Sequence, residues 1–363
     1  MQHSKLPPSS AARRYICPGS RALEEQYPRL TESESAAEGT AAHWVAAEYL
    51  MYGCSAVVTP EGEPITEEMR EGATLYADTI REIWDGCSTL HIEERVDIHN
   101  IHPDCFGTPD CWFVRDDVLH VFDYKFGHRY VDVFGNWQLL EYAAGVSELV
   151  EFKTVMMTIV QPRSYTREGP VRSWTITRAE LDKYILRLRK AEEESMRPNT
   201  HCVPSPECAF CSARTVCGAL SETVGTFVTI LNQNNTHELN PKQTARELKQ
   251  LRFYAELLNA RITGFEEQAR HMITRGDSVP GFKLESVSSR EQWTRETAEI
   301  ITLGELMSVN LCKPPEPITP AQARKVGLHE EILRQYSKRV PGKLKLVEEK
   351  NAERIFVDLK GNN

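Results

Sequence analysis

The first 225 residues carry two hydrophobic periods, one of two residues and one of three to four, which predict strands and helices in turn. The clearest strand is the apolar run 118–122. It follows the turn signal Arg115-Asp116-Asp117, which predicts a hairpin with the strand before it. Further strands are predicted at 90–98, 153–160 and 171–177, and helices at 11–14, 38–48, 66–84, 137–149, 178–196 and 241–274. This order predicts an α/β fold, with a mixed central sheet flanked by helices.

The predicted hairpin is charged at one end. Asp110 lies on its first strand, and Asp123 follows Phe122 directly, where a strand is usually buried. Side chains two residues apart in a strand point to the same face, so Asp123 and Lys125 are expected to project together. Two neighbouring carboxylates repel each other and are costly to desolvate unless a cation holds them. Mg²⁺ prefers such oxygen ligands, so this end of the sheet is a candidate metal site, although solvated turn residues remain the simpler explanation for Asp110 or Lys125 alone.

Three other predicted elements carry candidate residues. His43 lies on an Ala-rich helix, with Glu38 about one turn before it; a single histidine there is more often part of the core than a ligand. Gln138 and Tyr142 are four residues apart on a later helix and share one face. Glu94 lies on the apolar face of the strand predicted at 90–98 and is a lesser candidate.

Three cysteines, Cys208, Cys211 and Cys217, have the spacing C-x2-C-x5-C. Thiolates at this spacing need a fourth ligand, because soft metals favour a tetrahedral set of four sulfurs. The candidates for that ligand are Cys17, Cys202 and His201. The chain has ten cysteines and no secretory signal, which favours thiols or metal ligands over a disulfide framework. The cysteines at 54, 87, 105, 111 and 312 are predicted to be plain buried thiols.

The order of these motifs resembles the PD-(D/E)XK nuclease superfamily, and in particular its RecB-like branch. Pro109-Asp110 followed by Asp123-Tyr124-Lys125 matches the motif that names the superfamily. His43 corresponds to a glycine-then-histidine motif on an early helix, and Gln138 with Tyr142 corresponds to a Gln-x-x-x-Tyr element. The resemblance covers roughly residues 9 to 220.

This resemblance implies a restriction-endonuclease-like α/β fold and a metal-dependent DNA nuclease, most simply a phage-type exonuclease that acts on DNA ends in recombination or repair. It implies that His43, Asp110, Asp123 and the Tyr124 carbonyl hold one or two Mg²⁺ or Mn²⁺ ions, about 3.5 to 4 Å apart if paired. Lys125 would orient the attacking water or stabilise the transition state. The implied role of Gln138 and Tyr142 is to position the DNA and the metal-site residues.

The cysteines resemble those of the iron-sulfur branch of RecB-like nucleases, which includes the AddB nuclease and the CRISPR adaptation nucleases. In that branch one cysteine precedes the nuclease core and three follow it. The resemblance therefore implies a 4Fe-4S cluster on Cys17, Cys208, Cys211 and Cys217 that ties the two ends of the domain together. Zn²⁺ on the same sulfurs is the alternative, although structural zinc more often has two paired halves.

Charge is divided unevenly along the chain. Residues 1–225 contain 22 Lys and Arg against 34 Asp and Glu, a balance of −12, whereas residues 226–363 contain 21 against 18, a balance of +3. An acidic first part suits a metal site but repels DNA unless positive charge gathers locally. Lys183, Arg187 and Lys190 lie on one predicted helix face, although an ordinary solvated face explains them equally well.

These patterns predict a nuclease domain at residues 1–225 and a mostly helical extension at 226–363. DNA contact, self-association or a partner such as a single-strand annealing protein are the uses expected of the extension. The N-terminus has no apolar signal core and no run is long enough to span a bilayer, which predicts a cytoplasmic protein. The alternative function is a non-catalytic DNA-binding or assembly protein that retains the nuclease fold.

Overall fold

The computed structural model describes residues 4–29, 34–53, 58–231, 240–285 and 302. The chain forms two compact units, Met1–Leu284 and Glu285–Asn363, and every element named below belongs to the first. This first unit extends beyond the boundary predicted at residue 225. Apart from residue 302, the helices expected after residue 285 lie outside the described residues.

The central sheet has five strands in the order β1-β4-β5-β6-β7, and β2 pairs with β3 in a separate two-stranded sheet. The strands are β1 His91–Ile92, β2 Val96–Asp97, β3 Phe106–Gly107, β4 Cys111–Arg115, β5 Val118–Tyr124, β6 Thr154–Val160 and β7 Val171–Thr177. β5 and β6 run parallel, while the other neighbours in the central sheet run antiparallel.

Eight α-helices are described, together with short 3-10 helices at Pro8–Ser10 and Pro206–Phe210. The α-helices are α1 Ala11–Ile16, α2 Ser20–Gln26, α3 Glu34–Tyr52, α4 Glu67–Ile83, α5 Trp137–Val146, α6 Arg178–Ser195, α7 Gly218–Leu231 and α8 Pro241–Thr274. Side chains of Thr66, Asn136, Thr177 and Asn240 cap the N-termini of α4, α5, α6 and α8. None of these helices is both long enough and apolar enough to cross a membrane.

Helices cover both faces of the central sheet, because alternate residues of each strand face opposite sides. Phe122 and Tyr124 of β5 pack with the buried residues of α3 and α4. Leu119 and Val121 of the same strand pack with those of α5 and α6. The predicted fold class, an α/β arrangement of a mixed sheet flanked by helices, is confirmed.

The hairpin and the first predicted strand have different outcomes. Asp116 and Asp117 both have positive φ, 49° and 62°, as a two-residue hairpin turn requires. The continuous strand predicted at 90–98 is wrong. The backbone turns at Glu93, where φ is 49°, and the segment divides into β1 and β2, which belong to different sheets.

Candidate metal centre

Two buried carboxylates meet at one end of the central sheet. β4 and β5 pair with Cys111 opposite Phe122, so Asp110 and Asp123 lie at the same sheet edge. Asp110 is 8% exposed and Asp123 only 1%. One oxygen of Asp110 accepts a hydrogen bond from the Tyr124 amide at 2.5 Å, which fixes the carboxylate against the strand that carries Asp123.

Lys125 joins this group from the same face of β5. Its Nζ donates to Asp123 Oδ1 at 2.9 Å and to Gln138 Oε1 at 3.0 Å. Gln138 Nε2 in turn donates to the Tyr142 hydroxyl at 3.1 Å, one turn further along α5. The structure therefore brings together the residues that the sequence placed on a strand end and on a separate helix.

The same sheet edge meets α3. Its small residues Ala42 and Ala46 are buried and allow it to pack closely, which brings His43 Nδ1 to 3.1 Å from Asp110 Oδ1. The His43 ring also contacts Tyr124 edge-on, with 5.5 Å between centroids. Helix packing, together with Asp110, thus sets the position of the imidazole.

Glu93 is the site residue that the sequence analysis missed. Ligand atoms of His43, Glu93 and Asp110 all lie within 4.8 Å of one another, the spacing of a metal site. Glu94, the candidate on that strand, instead forms an exposed pair with His91 at 2.7 Å. The error follows from assuming a continuous strand, because the turn at Glu93 changes which side chain points to the sheet edge. Three successive charged residues, 93–95, were the signal that the strand breaks there.

Charges at the sheet edge oppose the cost of burial. Burial raises the pKa of Asp123, and the nearby Lys125 only partly offsets that effect. Burial disfavours the charged form of Lys125, yet Asp123 and Asp110 outweigh it and raise the pKa of Lys125. The ammonium group is therefore held charged by the two carboxylates.

A second group of charges surrounds Asp110. Although burial acts in the opposite direction, His43 and Lys125 lower the pKa of Asp110, and Asp110 raises the pKa of His43. Partial burial, followed by repulsion from Asp110, raises the pKa of Glu93 to about 7. Glu93 is exposed overall, so its carboxyl lies at the open side of the group.

This donor set fits a hard divalent cation. Asp123 Oδ2 is buried and has no hydrogen-bond partner among the described residues, a costly arrangement unless a ligand contacts it. Three acidic groups and an imidazole within one site are oxygen and nitrogen donors that suit Mg²⁺ or Mn²⁺. A positive ion would also relieve the repulsion that raises the pKa of Glu93.

Glu38, about one helical turn before His43, forms an ion pair outside the group of candidate ligands. Its carboxylate pairs with Arg163 at 2.7 Å, and Glu68 of α4 pairs with the same guanidinium, also at 2.7 Å. Arg163 lies over the Phe126 ring, 3.8 Å from its centroid. These contacts tie α3 and α4 to the segment after β6, so Glu38 helps to hold the helix that carries His43.

A separate cavity gathers cysteines from both ends of the domain. Five thiols line it: Cys17, Cys202, Cys208, Cys211 and Cys217. Backbone amides donate to two of these sulfurs, Val203 N to Cys17 at 3.2 Å and Ser205 N to Cys208 at 3.4 Å. Gly19 packs so closely that an added Cβ would lie 2.8 Å from the Cys202 sulfur. His201 is exposed and does not line the cavity.

Three of the five thiols, Cys17, Cys211 and Cys217, belong to buried residues, and Cys202 and Cys208 are half-buried. Burial and the neighbouring Cys17 and Cys217 raise the pKa of Cys202 to about 12, and burial with Glu24 raises the pKa of Cys211 to about 12. Within the described part of the chain, no three cysteine sulfurs lie within 4.8 Å of one another. Tetrahedral zinc with Zn–S bonds of about 2.3 Å would bring its sulfurs to about 3.8 Å apart.

The other cysteines divide into three cases. Cys105 and Cys111 are buried thiols, as predicted. Cys87 is exposed, contrary to the prediction, because it lies in the turn after α4, where Asp85 accepts its backbone amide. Cys54 and Cys312 lie outside the described residues.

The family described as "Protein of unknown function (DUF2800)" matches residues 3–354 of the chain. Solved structures are also similar in part. The crystal structure of SSO0001 is 14% identical, with 60% of this chain and 88% of that one covered and a TM-score of 0.33.

Two exonuclease structures match shorter parts. A phage-related exonuclease from Haemophilus somnus 129PT is 13% identical, covers 53% of this chain and 94% of its own length, and has a TM-score of 0.26. The alkaline exonuclease LHK-Exo from Laribacter hongkongensis is 16% identical, with 51% and 92% covered and a TM-score of 0.22. TM-scores this low carry no inference about activity, so the chemistry of this chain has to come from its own residues.

Proposed function

Since the chain belongs to the DUF2800 family, whose description assigns no activity, we propose its function from its own site: a Mg²⁺- or Mn²⁺-dependent deoxyribonuclease. The proposed mode is that of an exonuclease acting on DNA ends in recombination or repair, as in phage-type enzymes of the superfamily that the motifs resemble. DNA is the proposed substrate and the cytoplasm the proposed location.

One observation carries this proposal. Side chains from three distant segments converge on one sheet edge, where His43 contacts Asp110 and Lys125 contacts Asp123. A buried group of acids with one buried oxygen unpartnered is costly to maintain for stability alone. A divalent cation beside Lys125 would offset the negative charge of the three carboxylates.

His43, Asp110, Asp123 and Glu93, with the Tyr124 carbonyl, are proposed to hold the metal. When bound, the cation would polarise a phosphodiester oxygen and lower the pKa of a water molecule for attack on phosphorus. Asp110 fixes the orientation of the His43 ring through Nδ1.

Lys125 is proposed to stabilise negative charge that develops on the phosphate oxygens. Its ammonium group is fixed on one side by Asp123 and on the other by Gln138, so it does not have to reorganise during the reaction. Tyr142 holds Gln138, which makes Gln138 and Tyr142 positioning residues for Lys125 in this proposal.

The cysteine cavity is proposed to hold a 4Fe-4S cluster, with Cys17, Cys208, Cys211 and Cys217 as ligands. Sulfur donors from both chain ends, together with amides directed at two of the sulfurs, suit such a cluster. Its proposed role is structural.

The test is cleavage of DNA by the purified full chain. Linear and closed-circular DNA are incubated with Mg²⁺, with Mn²⁺ or with a chelator, and loss of linear DNA alone indicates an exonuclease. Lys125→Ala is expected to lower the rate by at least about a hundredfold, since one charge-stabilising donor contributes that much, while leaving the fold intact.

Lys153→Ala is the matched control. Lys153 also pairs with an aspartate, Asp117, but it is exposed and lies at the opposite end of β6 from the metal centre. We expect the Lys153→Ala variant to cleave DNA at the wild-type rate. Full activity in Lys125→Ala would remove the proposed mechanism, and a wild-type chain that binds DNA without cutting it would favour the non-catalytic function.

A further inference from the structure

The cysteine segment carries an exposed aromatic ring, and two arginines from other parts of the chain lie beside it. Phe210 stands between Cys208 and Cys211 and is 47% exposed. The Arg129 guanidinium carbon lies 4.7 Å from the centre of its ring. Arg29 Nη2 donates to the Phe210 backbone carbonyl at 3.2 Å, and both arginines are exposed. We call Phe210, Arg29 and Arg129 the Phe210 patch.

Chain connectivity links this patch to the metal centre. Arg129 lies four residues after Lys125, on the exposed segment 127–129 that leaves the end of β5. Phe210 belongs to the 3-10 helix between two of the cysteines that line the cavity. The patch therefore joins the segment that follows Lys125 to the cysteine segment.

A buried network fixes the backbone that presents Arg129. Gln161, which is fully buried, donates from Nε2 to the carbonyls of Gly127 and Arg129, both at 2.7 Å. Its Oε1 accepts from the Val131 amide at 3.3 Å and from Arg172 Nη2 at 2.8 Å. Arg172 also donates to the Val131 carbonyl at 2.9 Å. Four hydrogen bonds join the backbone at 127–131 to the buried side chains of Gln161 and Arg172, and a fifth joins these two side chains to each other, so the segment is a fixed surface.

The chemistry of the patch matches a nucleic-acid strand. An exposed ring offers a face on which a base stacks, and the Arg129 guanidinium, which lies over the ring, adds cation–π attraction and pairs with phosphate. Two positive charges also supply local attraction for DNA within a part of the chain that is acidic overall. Stacking on a side chain requires a base that is free of its own helix, which selects a single strand over a duplex.

We propose that the Phe210 patch binds single-stranded DNA, with a base stacked on Phe210 and backbone phosphates beside Arg29 and Arg129. As a substrate path this rests on the proposed nuclease function, because the bound strand would lead along segment 127–129 to Lys125. The binding itself requires no cleavage and is tested separately.

The test measures binding of a fluorescent oligothymidine of about 20 nucleotides to the full chain, in Ca²⁺ or chelator so that no cleavage intervenes. Phe210→Ala is expected to weaken binding on the order of tenfold, the loss of one stacked base. Phe210→Tyr keeps a ring and is expected to bind as the wild type does, whereas Phe210→Leu keeps apolar bulk without a ring and is expected to bind as weakly as Phe210→Ala.

Arg129→Gln is expected to weaken binding and to reduce the dependence of log Kd on log salt by roughly 0.7, one phosphate contact on a single strand. Arg178→Gln is the matched control. Arg178 also lies over a phenylalanine ring, 5.3 Å from the centre of Phe152, but at the end of β7 opposite the metal centre. It is expected to leave Kd and salt dependence unchanged.

Wild-type affinity in both Phe210→Ala and Arg129→Gln would overturn the proposal, as would equal binding by Phe210→Leu and Phe210→Tyr. Metal content and the thermal midpoint are measured for each variant. If Phe210→Ala alters either quantity, DNA binding by Phe210→Leu, Phe210→Tyr and Arg129→Gln decides the test. If the chain binds DNA through the patch but cuts none, the nuclease proposal fails and the binding proposal stands. If variants without the patch cut DNA at the wild-type rate, the patch is not the substrate path and the nuclease proposal stands.

Discussion

Single residues at the sheet edge show why a bound metal would compete with a proton there. Glu93, His43 and Asp110 place donor atoms within 4.8 Å of one another, so their charges are strongly linked. Burial and the charge of Asp110 raise the pKa of Glu93 to about 7, well above its ordinary 4.5. In the metal-free protein this shift favours the fold at low pH. That contribution is lost as pH rises from 4.5 through 7, because the unfolded chain releases the proton first.

Metal affinity is therefore expected to rise with pH through about 7. Glu93 has to lose its proton to bind a cation, and between pH 6 and 8 its ionised fraction grows about tenfold. Glu93→Gln should flatten this part of the profile and leave a remainder that belongs to His43. Calorimetric titration with Mn²⁺ at pH 6, 7 and 8 measures it.

Glu94→Gln is the control for that titration. Glu94 is adjacent in sequence but exposed and paired with His91, so its substitution should leave the pH profile as it is. An unchanged profile in Glu93→Gln, or a flattened one in Glu94→Gln, would contradict the assignment of Glu93 to the metal centre.

At the scale of elements, the sequence predicted helices and strands that keep one hydrophobic period along their whole length. It did not predict the residue at which such a period is interrupted. The helix predicted at 241–274 matches α8, Pro241–Thr274, which Pro241 opens and the Asn240 side chain caps. The strand predicted at 90–98 failed because one residue with positive φ reverses the alternation of all that follow. The contact of His43 with Asp110 depends on packing between distant segments, which only the motif order indicated.

A buried ion group joins three helices behind the sheet. Arg14 of α1 contacts Glu192 of α6 at 2.7 Å and Glu141 of α5 at 3.4 Å, and all three side chains are almost fully buried. Burial, with Glu192 nearby, raises the pKa of Glu141 far above its ordinary value despite Arg14. Arg14 is the cation that contacts both carboxylates of this group.

Removing the arginine should leave a buried charge without a partner. Arg14→Met is expected to lower the free energy of unfolding by about 3 to 5 kcal/mol, and the double variant with Glu192→Met should recover most of it, since an apolar pair avoids the desolvation cost. Urea unfolding measures both. Arg95→Met breaks an exposed pair with Asp97 and should change stability by about 1 kcal/mol or less. Equal losses in Arg14→Met and Arg95→Met would contradict this account.

At the scale of the whole domain, the cysteine cavity connects segments that are far apart in sequence. Cys17 follows α1, whereas the other four thiols lie at 202–217, after the sheet is complete. A ligand shared by both segments closes a loop of nearly the whole domain, which restricts the unfolded chain strongly. The sequence indicated the spacing of three cysteines and left Cys17, Cys202 and His201 as candidates for a fourth ligand. Cys17 and Cys202 both line the cavity, where Gly19 packs closely against the Cys202 sulfur.

Loss of one cysteine ligand should therefore release the connection between the two segments and leave the candidate metal centre unchanged. The anaerobically purified wild type is expected to be brown, with about four iron atoms and matching acid-labile sulfide per chain. Cys17→Ser should lose iron and lower the thermal midpoint, and hydrogen exchange should increase in α1. Cys87→Ser is the control, because Cys87 is exposed and does not line the cavity. If the wild type contains one zinc and no iron, the cavity holds zinc and the cluster proposal is wrong. An unchanged thermal midpoint in Cys17→Ser would show that the cavity does not hold the two ends together.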